Sequence, residues 1–375
     1  NYFKQLFAQV TNPAIDPIRE NIVMSIQAFV GKQKNMLDET PLHAHKLRVG
    51  NPILSDGEIE RIRNIGVNSF KTKTISILFK AKEKESFMKT IDNICNEAHK
   101  AIEEGYTFII LSDKGVNSEY AALPALLAVG TVHHSLIDKA IRTQIGLIVE
   151  SAEPREVHHL ALLFGYGADC INPYLAYKSI RHLIEEGLIK INYDEAIENY
   201  RKASKKGILK ILSKMGISTL NSYRGAQIFE AIGIGEEVIN RSFFGTASRI
   251  GGVTFEDIRE ETVQRHNEAY SSVLGSETTF LQSGGFYQWK KDGESHLWRP
   301  ESIAALQDAV RKDDYEKYKE FASLIDDQSK NPTTLRSLLK FKKEHKSVSI
   351  DKVEKASSIV KRFATGAMSF GSISG

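Results

Sequence analysis

The sequence predicts an α/β protein built on an incomplete or modified (β/α) barrel-like parallel sheet with flanking helices, followed by a truncated second domain. Two observations carry this. From about residue 70, short β-branched runs alternate with longer segments of helical periodicity, the pattern of parallel βαβ units. After about residue 272 the alternation stops and the texture changes to Gly, Ser and aromatic residues and then to small charged helices. There are more alternations than a small open sheet usually holds and fewer than the eight of a closed barrel, so a doubly wound sheet is the alternative.

The elements follow in order. Residues 1–55 are expected to be a mostly helical arm broken by Pro13, Pro17, Pro41 and Pro52. Residues 74–79 read as the first strand. Phe87, Ile91, Ile94, Ala98 and Ile102 then recur three or four apart, as on one helical face, and Gly105 closes that helix. Strands are expected at 107–111, 144–149 and 169–171, and helices at 121–140, 154–164 and through 180–187. A Lys-rich helix over 203–215 stops at Gly216. Then 217–220 reads as a strand, 227–232 as a helix, 249–253 as the last strand and 255–270 as its helix. Beyond the linker, helices are expected at 302–311, 315–325 and 335–341.

The chain has 375 residues, enough for two to three domains at about 150 residues each. Fifty Lys and Arg against 47 Asp and Glu leave a net charge of +3, too small an excess for a dedicated nucleic-acid binder. A composition 41% hydrophobic and 26% charged excludes a disordered chain. The two cysteines, Cys95 and Cys170, are too few for a disulfide scaffold, a thiolate zinc site or an iron–sulfur cluster. A reducing cytoplasm is the natural setting. The longest apolar stretches, such as 121–132, fall short of the ~20 residues a membrane span needs. Without an initiator methionine or a signal pattern, the sequence reads as a piece of a longer polypeptide.

No residue set assembles a complete active site. His133-His134 and His158-His159 are adjacent pairs whose rings point about 100° apart on a helix, so they read as ordinary histidines and not as metal ligands. Gly165-Tyr166-Gly167 and Gly233-Ile234-Gly235 lack the third glycine or the Gly-Lys-Ser/Thr ending of a phosphate loop and read as turns and caps. Polar groups at the expected strand C-termini carry more weight, because that edge hosts the site in parallel sheets and barrels. Asp113, Glu150 and Arg224 are the candidates there. They suit a stand-alone small-molecule binding module or a flavin-free barrel enzyme, although such residues are as often caps and braces. Lys340-Phe341-Lys342-Lys343 reads as a solvated helix end, and Cys95 and Cys170 as small core residues.

Several strings resemble one family, the large subunit of glutamate synthase. Tyr2-Phe3-Lys4-Gln5-Leu6-Phe7 through Asn12-Pro13-Ala14-Ile15-Asp16-Pro17 is similar to the start of its central domain. Ser222-Tyr223-Arg224-Gly225-Ala226-Gln227, Phe244-Gly245-Thr246 and Ser248-Arg249-Ile250-Gly251-Gly252 resemble that domain's end. Gly284-Gly285-Phe286-Tyr287-Gln288-Trp289 and Arg362-Phe363-Ala364-Thr365-Gly366-Ala367-Met368-Ser369 resemble the opening of its flavin-binding synthase domain. The resemblance implies an enzyme that makes L-glutamate from L-glutamine and 2-oxoglutarate. Its parts are a cysteine amidotransferase domain, a central domain, an FMN barrel with a [3Fe-4S] cluster and a C-terminal β-helix, with electrons from NADPH or ferredoxin. Ammonia released at the first site travels through an internal tunnel, where enclosure keeps it from protonation and loss. On this reading 1–272 is the central domain, its α/β part spanning 56–272, and 273–375 is the linker and the start of the synthase domain. The expected partners are the other domains of the polypeptide and an electron-donating small subunit or ferredoxin. Ala367, Met368 and Ser369 are expected near the flavin. The amidotransferase cysteine, the cluster ligands and most of the flavin barrel lie outside this stretch.

Overall fold

The computed structural model describes residues 2–6, 15–16, 18–67, 69–270, 284–285, 288–328, 331–342 and 346–363. The chain falls into two compact units, Asn1–Glu277 and Thr278–Gly375.

The first unit opens with strand β1 (Phe3–Gln5), a single-turn helix α1 (Glu20–Val23), strands β2 (Ala28–Val30) and β3 (Leu47–Val49), which pair antiparallel, and helix α2 (Asp56–Arg63). The expected helical arm over 1–55 is thus corrected: its described residues hold three short strands and two single helical turns, the second at Pro41–Ala44. α2 begins where its caps dictate. The Ser55 hydroxyl accepts from the Glu58 amide at 3.3 Å and the Glu58 carboxylate accepts from the Ser55 amide at 2.7 Å.

The central alternation follows as β4 (Thr72–Ser76), β5 (Leu78–Lys80), α3 (Ser86–Glu103), β6 (Phe108–Ser112), β7 (Tyr120–Ala122), α4 (Ala125–Asp138), β8 (Gly146–Glu150), α5 (Val157–Gly165), β9 (Cys170–Asn172) and α6 (Tyr174–Glu185). β4, β6, β8 and β9 form a four-stranded parallel sheet in that order. Each new strand joins the same edge, so right-handed crossovers place the intervening helices on one face. This is the winding of a barrel; a doubly wound sheet would reverse its strand order at a switch point.

Every residue of β6 and β8 is buried, which is why both read as continuous apolar runs. On the helix side Ile75, Ile109, Leu111, Leu147, Val149 and Ile171 pack with Ile91, Ala98, Val129 and Leu160. On the other face Phe108, Ile110, Ile148 and Cys170 pack against Ala28, Val30, Leu54, Ile59, Ile62 and Phe70. The β2–β3 pair and α2 therefore fill the side that would face the interior of a complete barrel. Each fully buried Ile or Leu there contributes about 1.5–3 kcal/mol. Residues 52–54 also extend the sheet past β9, since the Ile171 amide donates to the Pro52 carbonyl at 2.8 Å and the Leu54 amide to the Ile171 carbonyl at 2.7 Å.

The rest of the unit comprises α7 (Tyr193–Met215), α8 (Leu220–Tyr223), β10 (Phe229–Ala231), α9 (Glu236–Ser242), β11 (Ala247–Ser248) and α10 (Phe255–Tyr270). β10 pairs with both β1 and β11 in a second, three-stranded sheet. Several boundaries differ from expectation. The strand at 74–79 breaks after Ser76, because β5 leaves the parallel sheet to pair antiparallel with β7. That pairing also takes residues 121–122 from the expected helix 121–140, which starts after Pro124. The Lys-rich helix begins ten residues earlier than expected, at Tyr193, behind the cap Asn192, whose side chain accepts from the Glu195 amide at 2.9 Å. The expected strand 217–220 is a bridge from Thr219 to Ser25 and then a helical turn, and the expected helix 227–232 is β10. The expected strand 249–253 supplies only a bridge from Val253 to Ile234.

The second unit contains α11 (Pro300–Lys312), α12 (Tyr315–Asp326) and α13 (Ala356–Val360), with 3-10 turns at Leu335–Leu338 and Ile350–Lys352. α11 and α12 stand close to their expected bounds. The helix expected over 335–341 is only the first of those turns.

Candidate functional site

Ser112, Glu150 and Asn172 are the last residues of β6, β8 and β9 and stand opposite one another in register. The strand alternation points all three to the face covered by α2. Glu150 is fully buried and accepts from Ser112 Oγ at 2.5 Å, Arg63 Nη2 at 2.7 Å and Lys114 Nζ at 2.7 Å. Burial alone would raise its carboxyl; the bonds from Lys114, Ser112 and Arg63 outweigh that and hold it below its ordinary value. Asn172 donates from Nδ2 to the Leu54 carbonyl and to Asp56 Oδ1, both at 3.0 Å. One residue further on, Asp113 Oδ2 accepts from Ser151 Oγ at 2.6 Å and from the Ala152 amide at 2.8 Å, while its Oδ1 has no partner among the described residues. Burial pushes the Asp113 carboxyl up.

The chemistry open to this row is limited. Glu150 is an ionised carboxylate saturated by donors, two of them cationic, and a base needs a free lone pair within reach of substrate. Asp113 can hold a proton more readily but is only 2% exposed, so a substrate could not approach it without a rearrangement of the edge. The sequence pointed to Asp113 and Glu150 but not to Arg63 and Lys114, which neutralise the row. Arg63 stands 87 residues from Glu150, and nothing local marks it as the partner.

Arg224 lies elsewhere. It pairs with Asp169, immediately before β9, and so belongs to the N-terminal edge of the sheet. β8 is five residues long, which at about 3.3 Å per residue separates the edges by roughly 13 Å. The grouping of Asp113, Glu150 and Arg224 in one site is therefore corrected, and the small-molecule or flavin-free enzyme reading loses its cation. At this edge Asp169 Oδ2 also accepts from the Leu147 amide at 2.7 Å and faces Arg142 Nη2 at 3.4 Å. Arg142 donates to His133 Nδ1 at 2.9 Å and to the carbonyls of Ile145 at 2.8 Å and Gly167 at 2.7 Å. Burial, together with the charges of Arg142, His134 and Arg224, holds His133 down to about 2, so its ring stays neutral.

Among the described residues no cluster of three His, Cys, Asp or Glu side chains could hold a metal ion. Gly167 has φ +115° and lies against the His133 ring, and Gly165 abuts Phe229, so the glycine pair serves a turn and close packing. Cys95 and Cys170 are buried with their thiols pushed up. Two separate core thiols do not fit a [3Fe-4S] cluster. Ala367, Met368 and Ser369, expected near a flavin, lie outside the described residues. No described helix is long and apolar enough to cross a membrane.

Fold and edge together define a barrel-related α/β unit whose strand-end charges are engaged with one another. The glutamate synthase central domain model matches residues 1–235, and a model described as a conserved region in glutamate synthase matches residues 296–375. The chain belongs to the glutamate synthase family. The large chain of an NADPH glutamate synthase from Bacillus subtilis (strain 168) is 45% identical over 374 residues, which cover 100% of this chain and 24% of that one. An NADH glutamate synthase of Schizosaccharomyces pombe is 44% identical over 380 residues, covering 100% and 18%. A ferredoxin-dependent glutamate synthase of Pyropia yezoensis is 43% identical over 387 residues, covering 100% and 25%. The chain thus spans a quarter or less of the length of these relatives. Among solved structures, the recombinant flavin-binding domain of baker's yeast flavocytochrome b2 is 10% identical and covers 76% of this chain and 84% of its own, with a TM-score of 0.35, too low to argue from.

Proposed function

We propose that this chain acts inside a glutamate synthase as the segment that holds the amidotransferase and synthase sites in register and lines part of the ammonia route, without a complete active site of its own. The observation that carries this reading is the match of the whole chain, at 45% identity, to a quarter of the Bacillus subtilis large chain. The engaged strand-end charges support it, since Glu150 is committed to Arg63, Lys114 and Ser112. On this reading residues 1–272 are the central domain and 273–375 the linker and the start of the FMN-binding synthase domain. Ala367, Met368 and Ser369 then approach the flavin, and groups from other loops complete that site. FMN would supply hydride chemistry to the imine formed from ammonia and 2-oxoglutarate. The [3Fe-4S] ligands, the amidotransferase and the β-helix belong to other parts of the polypeptide.

NADPH-, NADH- and ferredoxin-dependent relatives match this stretch about equally well, at 45%, 44% and 43% identity. That similarity argues that the electron donor is selected elsewhere in the enzyme. The test is to purify residues 1–375 alone. The expected product is folded and colourless, with no glutamine hydrolysis. A flavin absorbance band co-eluting at one per chain, or measurable turnover, overturns the reading.

A further inference from the structure

A cavity of about 420 Å³ opens on the helix side of the first unit, close to where β8 ends. Its walls come from β1, the first turn of α4, the segment that follows β8, helices α5 and α10, and Ile234 and Phe243 on either side of α9. The volume falls within the range of small-molecule pockets, which are mostly apolar with a few placed polar groups. The apolar wall consists of Phe3, Leu126, Leu162, Leu163, Phe243 and Ile258. The charged groups are Glu153 and Glu261 against Arg155 and Arg265, which balance.

Glu261 is tied to the Tyr2 hydroxyl. Glu153 has one partner among the described residues, the Ala125 amide at 2.7 Å. Arg155 and Arg265 lie close enough to Glu153 to act on its charge, yet among the described residues none of the three forms an ion pair. The Glu153 side chain is open to the cavity while protein surrounds it, and that enclosure pushes its carboxyl up, a cost that a bound cation would relieve. A carboxylate and two guanidiniums are thus held apart across a space walled by hydrocarbon.

We propose that this cavity binds a small zwitterion, an α-amino acid with an apolar side chain. The ligand's ammonium would donate to Glu153, its carboxylate would accept from Arg265, and its side chain would lie against Leu126, Leu162 and Ile258. A singly charged ligand engages Glu153 or Arg265 but not both, so the zwitterion binds more tightly than either analogue.

The test uses the whole 375-residue chain and L-leucine as the probe, titrated calorimetrically beside isocaproate, which lacks the ammonium, and isopentylamine, which lacks the carboxylate. L-leucine is expected to bind saturably, with each analogue at least about tenfold weaker. Glu153→Gln and Arg265→Gln should each weaken L-leucine binding about tenfold or more, with unchanged circular dichroism. Should Glu153→Gln fail to fold, Arg265→Gln decides alone, because that side chain is exposed and in no ion pair among the described residues. Absence of saturable L-leucine binding up to about 10 mM, analogues that bind equally well, or folded variants that bind L-leucine unchanged would each overturn the proposal.

Discussion

Arg142 and Arg224 share one counter-ion, the Asp169 carboxylate, at the N-terminal edge of the parallel sheet. All three side chains are largely buried, with exposures of 13%, 15% and 5%. Two cations around one anion leave an excess positive charge in a poorly hydrated place, and burial holds both guanidiniums down to about 10.

Asp169→Asn should therefore be strongly destabilising. It keeps an acceptor for the Leu147 amide but strands two buried guanidiniums, at a cost of about 3–5 kcal/mol. Urea denaturation of the purified chain measures this, and a loss under about 1 kcal/mol would mean that water solvates the arginines well.

At the opposite edge, Glu150→Gln should cost about 2–4 kcal/mol, because Arg63 and Lys114 lose their common anion. Lys114→Met should cost only about 0–1 kcal/mol, since Lys114 is 44% exposed and Arg63 still pairs with Glu150. Equal losses in the two variants would contradict the assignment of Glu150 as the hub.

Acid sensitivity follows from His133. Its ring nitrogen accepts from Arg142 and is held neutral down to about 2, whereas an unfolded histidine titrates near 6.5. Below about pH 6.5 the unfolded chain takes up a proton that the native chain refuses, so stability falls as pH falls, by about 1.4 kcal/mol per pH unit for that proton. His99, His134, His158 and His159 are also shifted down and act with the same sign. His133→Gln keeps an acceptor for Arg142 and should flatten the slope by one proton's worth between about pH 6.5 and 5 in denaturation at successive pH values.

Helix α4 crosses α9 at a glycine. A methyl on Gly130 would run into the Ser242 carbonyl and come within 2.9 Å of the Phe243 ring. Gly130→Ala should lower stability by about 1–3 kcal/mol, while Gly50→Ala, with nothing within 4 Å, should stay within about 0.5 kcal/mol of the parent in the same assay.

Much of the alternation from β4 to α6 was readable because burial imposes a period. Phe87, Ile91, Ile94 and Ala98 are all buried on α3, as their spacing requires, and α10 has the expected bounds, Phe255–Tyr270. The errors fall where pairing with a distant strand decides the outcome. Phe229, Glu230 and Ala231 alternate buried, half-buried and buried, a strand signal, but three residues cannot be told from a helical turn without knowing that β1 lies beside them. Similarly, the strand-end polar row was visible as a row, yet its neutralisation by Arg63 and the removal of Arg224 to the other edge depend on tertiary contacts with no local trace.

The residues that fill the sheet's inner side, from Ala28 to Ile62, are translated before every strand they cover. On a ribosome this hydrophobic stretch must wait for the strands it covers, the last of which, β9, emerges more than a hundred residues later, where Leu54 docks on Ile171. So long a separation gives these contacts a high contact order and a slow, aggregation-exposed interval during synthesis. Variants that weaken the Leu54 to Ile171 junction should therefore reduce the yield of soluble nascent chain more than their equilibrium stability alone would indicate.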